Sequence, residues 1–489
     1  MITRRSVLLG GSLAAAATLL DMRRALGQGM PDPGFAIPGA RRFKILEIFM
    51  LGGVSAWDTF YYAPPSIPSV VATPRLRETT IASRSPAGVS RPYCTPVDLP
   101  MLPPTVTVGP FQDVFEMRPT GGAQPMRWTK ATRPLVARPD MLARTKVIAM
   151  RNDFNLHELA IPVATSGRPL GDSRACGVGT AVQRLYGAAT PVSFGIATSD
   201  FAGYFTNWFA AGAHPGWARP ARILIDREDD LATWAARAGV TAEGDALLRM
   251  YRDRYATRSV PRSTSFDGYS GVVDRLAGAP QLQAAYALRP PVPPVVEHCT
   301  TEMPTEPAPR WNLVRGSLDV ARRLLANGAK HVAMIDSGIG RDATLPYDGH
   351  GDSTRLTIGN VYNLLTELTA VVKRPGEPND PSNPKIDLDD TLVLLTSEFG
   401  RTPGVGGPTG TGREHLPTYA AVAIGGPVAM SPDGAPRLAG SFGSGSTIHG
   451  TYTPAQLASE ALVAAGIHAD HPHNFTAPEE RAPGLLVQR

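Results

Sequence analysis

Acidic, guanidinium and imidazole side chains are concentrated in the stretch SEFGRTPGVGGPTGTGREHLPTYAAVAIGG, residues 397–426. Glu398, Arg401, Arg413 and His415 stand there among glycines, directly after an apolar run. Carboxylate oxygens and imidazole nitrogens are ligands of divalent metal ions, and guanidinium groups match the geometry of phosphate or sulfate. The stretch therefore predicts one wall of a polar site, with metal binding as its chemistry.

Three further stretches place polar side chains after apolar runs. They are GGVSAWDT with Asp58, NDFNLHE with His157, and YDGHGD with Asp348 and His350. Carboxylates brought close together disfavour joint ionisation, so a cluster of this kind calls for a cation. We predict a site for one or two divalent ions, which we expect to be zinc, manganese, calcium or magnesium. The predicted metal ligands are Asp58, Asp348, His350, Glu398 and His415.

Each of these residues also has a structural interpretation. Asp58 can satisfy backbone N–H groups in a glycine-rich turn, and Asp348 and His350 can be exposed loop residues. Glu398 can form a structural ion pair with a neighbouring arginine. The residue types alone leave both interpretations open.

Apolar runs of five to nine residues, typical of buried parallel strands, alternate with helical patterns. The predicted strands are 43–51, 146–150, 192–197, 222–226, 331–336, 391–396 and 419–424, and the predicted helices are 312–327, 354–373 and 453–465. This alternation predicts an α/β fold with a mainly parallel sheet sandwiched by helices. The chain has 47 prolines, roughly twice the average share, and we expect long proline-rich insertions at about 63–140 and 258–310.

The first residues are typical of an export signal. Arg4 and Arg5 precede an apolar stretch that ends at Leu20, and TRRSVL resembles a twin-arginine signal. We expect residues 1–27 to be removed after passage through the twin-arginine translocase, although an uncleaved membrane anchor is the alternative. The remainder, 28–489, is then a single large domain without a membrane span, in the periplasm or secreted.

Charge and cysteine content limit the classes of partner. Loss of 1–27 lowers the formal net charge from +5 to +2, because that segment holds four arginines and one aspartate. No dense cluster of lysine or arginine with interleaved aromatics remains, so we expect no nucleic-acid partner. The three cysteines lack the CxxC spacing of a zinc ribbon.

Four quoted stretches together resemble the domain-of-unknown-function family 1501, nearly over the full length. They are SEFGRTP with the later GREH, FMLGGVSAWDTF, LPYDGHGD and HELAIPVATSG. The resemblance implies a distant relationship to the alkaline phosphatase and sulfatase superfamily, and so an alkaline phosphatase-like fold. In that superfamily a Ser, Thr or modified Cys nucleophile stands at a helix start, where this sequence has His157. Glu398-Phe399 stands where an Asp-His ligand pair is common.

The resemblance implies a metal-dependent hydrolase of phosphate or sulfate esters, acting on a small-molecule or polysaccharide substrate. His157 is then a further metal ligand or the reactive base, and Arg401 or Arg413 clamps the anion. His157 also has a structural interpretation as a helix start, because Asn155 and Glu158 have capping-box spacing. The alternative function is a non-catalytic protein of the cell envelope that binds metal or polysaccharide on the same fold. A Ser-His-Asp hydrolase ranks behind both, since no G-x-S-x-G motif is present.

Overall fold

The computed structural model describes residues 34–61, 106–108, 114–117, 126–169, 177–186, 192–197, 220–224, 242–258, 313–336, 347–348, 350, 353–402, 414–440, 451–471 and 480–486. The predicted signal 1–27, Arg413, the three cysteines and most of both proline-rich stretches lie outside these residues. Within the described part of the chain, no helix combines the length and the apolar character needed to cross a bilayer.

The strands follow the apolar runs of the sequence closely. They are β1 (Lys44–Met50), β2 (Val106–Val108), β3 (Val114–Met117), β4 (Met126–Thr129), β5 (Thr145–Arg151), β6 (Ser193–Ala197), β7 (Ala221–Leu224), β8 (His331–Asp336), β9 (Thr391–Thr396), β10 (Gly400–Arg401), β11 (His415–Leu416), β12 (Thr418–Gly425) and β13 (Arg437–Ala439). Eight of them form one sheet in the order β13-β5-β12-β9-β1-β8-β6-β7. Only β12 runs antiparallel to its neighbours in this sheet, so the predicted mainly parallel sheet is confirmed.

The helices are α1 (Arg133–Val136), α2 (Pro139–Leu142), α3 (His157–Ser166), α4 (Val178–Tyr186), α5 (Ala242–Arg258), α6 (Leu313–Ala326), α7 (Ser353–Val371) and α8 (Pro454–Ala464). Helices α6 and α7 pack together on one face of the sheet, and α3, α4 and α8 cover the other. Thr453 begins α8 with a complete capping box, in which its side chain accepts from the Gln456 amide and the Gln456 side chain accepts from the Thr453 amide.

The central strand β1 is buried on both faces. Leu46, Ile48 and Met50 lie in the core beneath α6 and α7, whereas Ile45 and Phe49 face the opposite helical layer. Successive strand side chains point to opposite faces, and burial of both faces explains why such strands are nearly continuous apolar runs. The sheet is therefore sandwiched by helices, as predicted.

Two sequence expectations need correction. The predicted strand 419–424 is β12, which runs antiparallel to β9. The chain leaves the carboxyl end of β9 and enters the neighbouring β12 at that same end of the sheet. The described end of the first proline-rich stretch, 126–140, belongs to the core and not to an insertion. Trp128 there is fully buried and packs edge-on against Phe60 at 5.4 Å between ring centroids.

Candidate metal centre

The polar stretches of the sequence meet at one edge of the sheet. Met50 of β1 pairs in register with Asp336 of β8, and Phe49 of β1 pairs with Thr396 of β9. These strands end together, so the segments that follow them emerge side by side, which is where open α/β sheets place their functional loops. The segments that carry His157, Asp348, His350, Glu398 and His415 are distant along the chain and lie in contact here.

His157 is the first residue of α3 and lies between two carboxylates. Its Nδ1 is 2.9 Å from Glu398 Oε1, and its Nε2 is 3.3 Å from Asp348 Oδ2. A carboxylate only accepts, so Nδ1–H donates to Glu398. Nε2 is buried, and the Asp348 carboxylate is the charged group that faces it. This nitrogen is therefore the one that is available to a metal ion.

The capping box predicted from Asn155 and Glu158 is wrong. The N-cap of α3 is Leu156, which makes no side-chain capping bond. The main-chain carbonyl of Asn155 instead accepts from Nδ1 of His415 at 2.6 Å. The segment before α3 is held by Asn152, whose side-chain amide donates to the carbonyls of Ala160 and Glu398.

His415 lies on β11, opposite Arg401 of β10 in a short antiparallel pair. With Nδ1–H directed to Asn155, its Nε2 faces Asp348 Oδ1 at 3.5 Å. The Phe399 ring packs against both imidazoles, with centroid distances of 4.3 Å to His415 and 4.8 Å to His157. Packing on one side and a hydrogen bond at Nδ1 fix the orientation of each ring, as is common for metal-ligating histidines.

Asp348 is brought to the histidines by a close approach of two backbones. Gly52 has φ +119°, and a Cβ at this position would lie 2.4 Å from the Asp348 amide nitrogen. Arg401 then fixes the carboxylate, since one guanidinium nitrogen donates to Asp348 Oδ1 at 2.5 Å and also to the Gly52 carbonyl. The Nε of Arg401 donates to the Gly53 carbonyl at 3.1 Å. The position of Asp348 therefore depends on the Gly52–Gly53 turn.

Three ligand atoms, one each from His157, Asp348 and His415, lie within 4.8 Å of one another. This group could hold a metal ion, and within the described residues it is the one group of three or more such side chains that meets this distance. Two imidazoles and one carboxylate are a donor set that borderline divalent metals accept.

The electrostatics of the group are strongly coupled. Burial acts to lower the pKa of His157, but the Asp348 and Glu398 carboxylates outweigh it and raise that pKa to about 9. Burial acts to raise the pKa of Asp348, but the neighbouring His157, His415 and Arg401 side chains hold it well below its usual range. The ion-free group therefore carries an imidazolium beside an ionised carboxylate at neutral pH.

The other predicted site residues have different environments. His350 lies at the rim, between Asp348 and Glu414 at 3.1 Å each, and is about half exposed. Glu398 is fully buried behind His157, where it accepts from the Gly52 amide at 2.7 Å and from His157, and it is not one of the three grouped ligands. Asp58 is fully buried in the 3₁₀ turn Ala56–Asp58 and is likewise outside the group.

The arginines predicted to clamp an anion stay predictions. Arg413 lies outside the described residues. Arg401 is fully buried, and its contacts with Asp348, Gly52 and Gly53 favour a positioning role behind the ligands.

Sequence reasoning missed Asn152 and the Asn155 carbonyl as supports of the site. A polar residue directly after a strand was the available signal for Asn152, which does lie in the quoted stretch NDFNLHE. No side-chain pattern signals the Asn155 carbonyl, because every residue carries one. Phe399 stood beside Glu398 in the quoted motif, but its packing on two histidines follows only from the three-dimensional arrangement.

No family model, no characterised protein and no solved structure matches this chain. The resemblance to the domain-of-unknown-function family 1501 therefore stays a prediction, and function has to be argued from the site itself.

Proposed function

We propose that this chain is a metal-dependent hydrolase of phosphate or sulfate esters, with one divalent ion held by His157, Asp348 and His415. The observation that carries the proposal is the convergence of three ligand atoms from three separate segments. Both histidines donate Nδ1–H to an oxygen acceptor, Glu398 or the Asn155 carbonyl, so both Nε2 atoms are left for the ion.

The exposure of the group favours a catalytic over a structural metal. The side chains of His157, His415 and Asp348 are 13%, 16% and 20% exposed, so the group reaches solvent. Structural zinc sites close the coordination sphere with four protein ligands, whereas catalytic sites combine three protein ligands with an open position. Three grouped ligands that lie at the strand ends and reach solvent fit a catalytic site.

The ligand types favour zinc or manganese among the four candidate ions. Imidazole nitrogen suits zinc and neighbouring transition metals, whereas calcium and magnesium prefer sites made of oxygen atoms. Two of the three grouped side chains are imidazoles. We therefore infer a borderline transition metal as the resident ion.

A bound divalent ion would polarise an ester oxygen and lower the pKa of water at the site. The protein contributes the ligands and a helix start: the first turn of α3 is His-Glu-Leu-Ala, and its N-cap has no side-chain capping bond. Amide groups at a helix N-terminus favour an anion, such as a phosphate or sulfate group. This turn contains no hydroxyl or thiol side chain, so water is the nucleophile that the site favours, and His157 serves as a ligand.

The wider proposal follows the sequence. An alkaline phosphatase-like arrangement is compatible with the mostly parallel sheet and with a site at the carboxyl ends of its strands. The twin-arginine pattern of residues 1–27 supports export by that translocase to the periplasm or beyond. Small-molecule or polysaccharide esters available outside the cytoplasm are the proposed substrates.

Exposed carboxylates near the site favour a second candidate function. Glu414, which lies 3.1 Å from His350 at the rim, has a side chain that is 75% exposed, and Glu158 in the first turn of α3 is also exposed. Negative charges at the rim weaken the binding of an anionic ester. They suit a non-catalytic protein that binds metal, or a polysaccharide that carries no charge.

Metal analysis and an activity panel test the proposal together. The folded protein is purified without chelators, its metals are measured by inductively coupled plasma mass spectrometry, and aryl phosphates, phosphodiesters and aryl sulfates are assayed with zinc, manganese or calcium. We expect a near-stoichiometric transition metal and turnover, both lost in His157→Ala and His415→Ala. His468→Ala, a histidine change away from the site, is the matched control and retains both.

The outcomes separate the two candidate functions. A folded protein that takes up no metal contradicts both the hydrolase and the metal-binding alternative. Stoichiometric metal without turnover on any ester of the panel favours the non-catalytic protein. Turnover that survives in His157→Ala shows that the reaction does not use this group.

A further inference from the structure

The two oxygens of Asp348 have different surroundings. Oδ1 accepts from the Arg401 guanidinium at 2.5 Å, and it also lies 3.1 Å from His350 Nε2 and 3.5 Å from His415 Nε2. Oδ2 lies 3.3 Å from Nε2 of His157. Oδ1 is thus held by a buried cation, whereas Oδ2 faces His157 Nε2, one of the two nitrogens proposed to bind the metal.

The Arg401 guanidinium is held in place independently of Asp348. It is fully buried and donates to the Gly52 and Gly53 carbonyls of the turn that follows β1. The carbonyl of Arg401 accepts from the Trp57 indole at 2.9 Å, which fixes the backbone of the same residue. A guanidinium presents several donors in a rigid plane, so it can bind two carbonyls and a carboxylate at once, whereas an ammonium group cannot reproduce that geometry.

We infer that Arg401 is a positioning residue that keeps Asp348 monodentate, so that the carboxylate binds the metal ion through Oδ2 alone and a coordination position stays open to solvent or substrate. The inference rests on the proposed metal site and goes beyond it, because it says how many positions the protein fills. A carboxylate ligates a metal through one or both oxygens. Loss of the Arg401 contact frees Oδ1 to occupy the position that the reaction needs.

Arg401→Lys is the test variant, since it keeps the positive charge and removes the planar set of donors. Arg323→Lys is the matched control, because Arg323 is also buried and pairs with Asp319 at 3.1 Å, but on α6. Each protein is loaded with zinc for infrared spectroscopy or cobalt for visible spectroscopy, with Asp348→Asn as the subtraction reference. The separation of the two carboxylate stretching bands reports denticity, and the intensity of the cobalt bands falls as the coordination number rises.

We expect wild type and Arg323→Lys to show the wide band separation of a monodentate carboxylate. Arg401→Lys should show a narrower separation and weaker cobalt absorption, with metal affinity equal to or above that of wild type. Its kcat per bound metal should fall by about 10- to 100-fold, the range seen when a group behind a metal ligand is changed. General damage to the fold would lower metal affinity as well, so a fall in kcat without a fall in metal affinity identifies the positioning role.

The wild-type spectrum decides the matter even when Arg401→Lys does not fold. A bidentate Asp348 in the zinc-loaded wild-type protein overturns the inference and leaves the proposed hydrolase standing. So does a folded, metal-loaded Arg401→Lys protein with wild-type infrared and cobalt spectra. A wild-type protein that binds neither zinc nor cobalt removes the proposed function and this inference together.

Discussion

Binding of a metal ion to His157 Nε2 requires the loss of a proton, and the structure sets the pH at which that proton leaves. The pKa of His157 is raised to about 9 because the Asp348 and Glu398 carboxylates outweigh the effect of burial. In the ion-free protein the imidazole is therefore protonated at pH 7. The apparent metal affinity should increase with pH over a range in which an ordinary histidine is already deprotonated.

The magnitude follows from the pKa. With a pKa of about 9, roughly one molecule in a hundred is deprotonated at pH 7 and half are deprotonated at pH 9. The apparent metal affinity should then rise by about 50-fold between these pH values, with release of about one proton per ion bound at pH 7. A histidine with the ordinary pKa of about 6.5 predicts a rise of only about 1.3-fold. The low pKa of Asp348 keeps that carboxylate ionised throughout, so it adds nothing to the pH dependence.

Competition with a chromophoric chelator measures the zinc affinity at each pH after correction for the protonation of the chelator and the hydrolysis of the ion. Isothermal titration calorimetry in two buffers of different ionisation enthalpy gives the number of protons released when zinc binds. Glu398→Gln removes one of the two carboxylates that raise the pKa of His157, so its affinity profile should shift to lower pH. An affinity at pH 7 within about twofold of that at pH 9 refutes the assigned ligand, because it requires an imidazole already free of its proton.

Three further predictions concern stability and local geometry. Without metal, the raised pKa of His157 contributes about 3 kcal/mol at most to the free energy of unfolding below pH 6.5, and this contribution is lost as the pH rises through 9. Urea unfolding at pH 6 and pH 9 in the presence of a chelator measures the difference. Gly52→Ala should cost more than about 2 kcal/mol of stability and weaken metal binding, because its Cβ would meet the Asp348 amide. The control Gly376→Ala also has a positive φ but nothing within 4 Å of its Cβ, so it should cost only about 1 kcal/mol and leave metal binding unchanged. Thr453→Ala should cost about 1 kcal/mol in the same unfolding assay through loss of the α8 capping box, without any change in metal affinity.

The sheet could be predicted from the sequence because strands buried on both faces are nearly continuous apolar runs. The run KILEIFM of β1 and the run TLVLLT of β9 are buried nearly throughout and pair in register. Parallel strands that end together bring their following segments together, and that is why the convergence of His157, Asp348 and His415 could be predicted. The antiparallel direction of β12 could not be predicted in this way, since its residues are as apolar and as buried as those of the parallel strands.

Roles within the site were harder to predict than membership of it. Glu398 and Arg401 were predicted as a ligand and an anion clamp, yet both are fully buried and contact the site from behind. Residue type states which chemistry a side chain is capable of, but the side from which it approaches depends on the Gly52–Gly53 turn. At Gly52 the backbone approaches Asp348 so closely that a Cβ would clash with it. The Gly52 amide donates to Glu398, and the Gly52 and Gly53 carbonyls accept from Arg401.

Charge balance connects these buried groups to the ion. Isolated buried charges are costly, and here Glu398 and Asp348 are matched by Arg401 and by the protonated His157, so the ion-free cluster is formally neutral. A divalent ion that displaces the His157 proton leaves one net positive charge in the same space. That excess favours a monoanionic ligand, such as a sulfate ester or a phosphodiester, over a neutral one. In the proposed site, the proton on His157 would balance the buried carboxylates until an ion displaced it, and the same buried charges would then favour an anionic ligand.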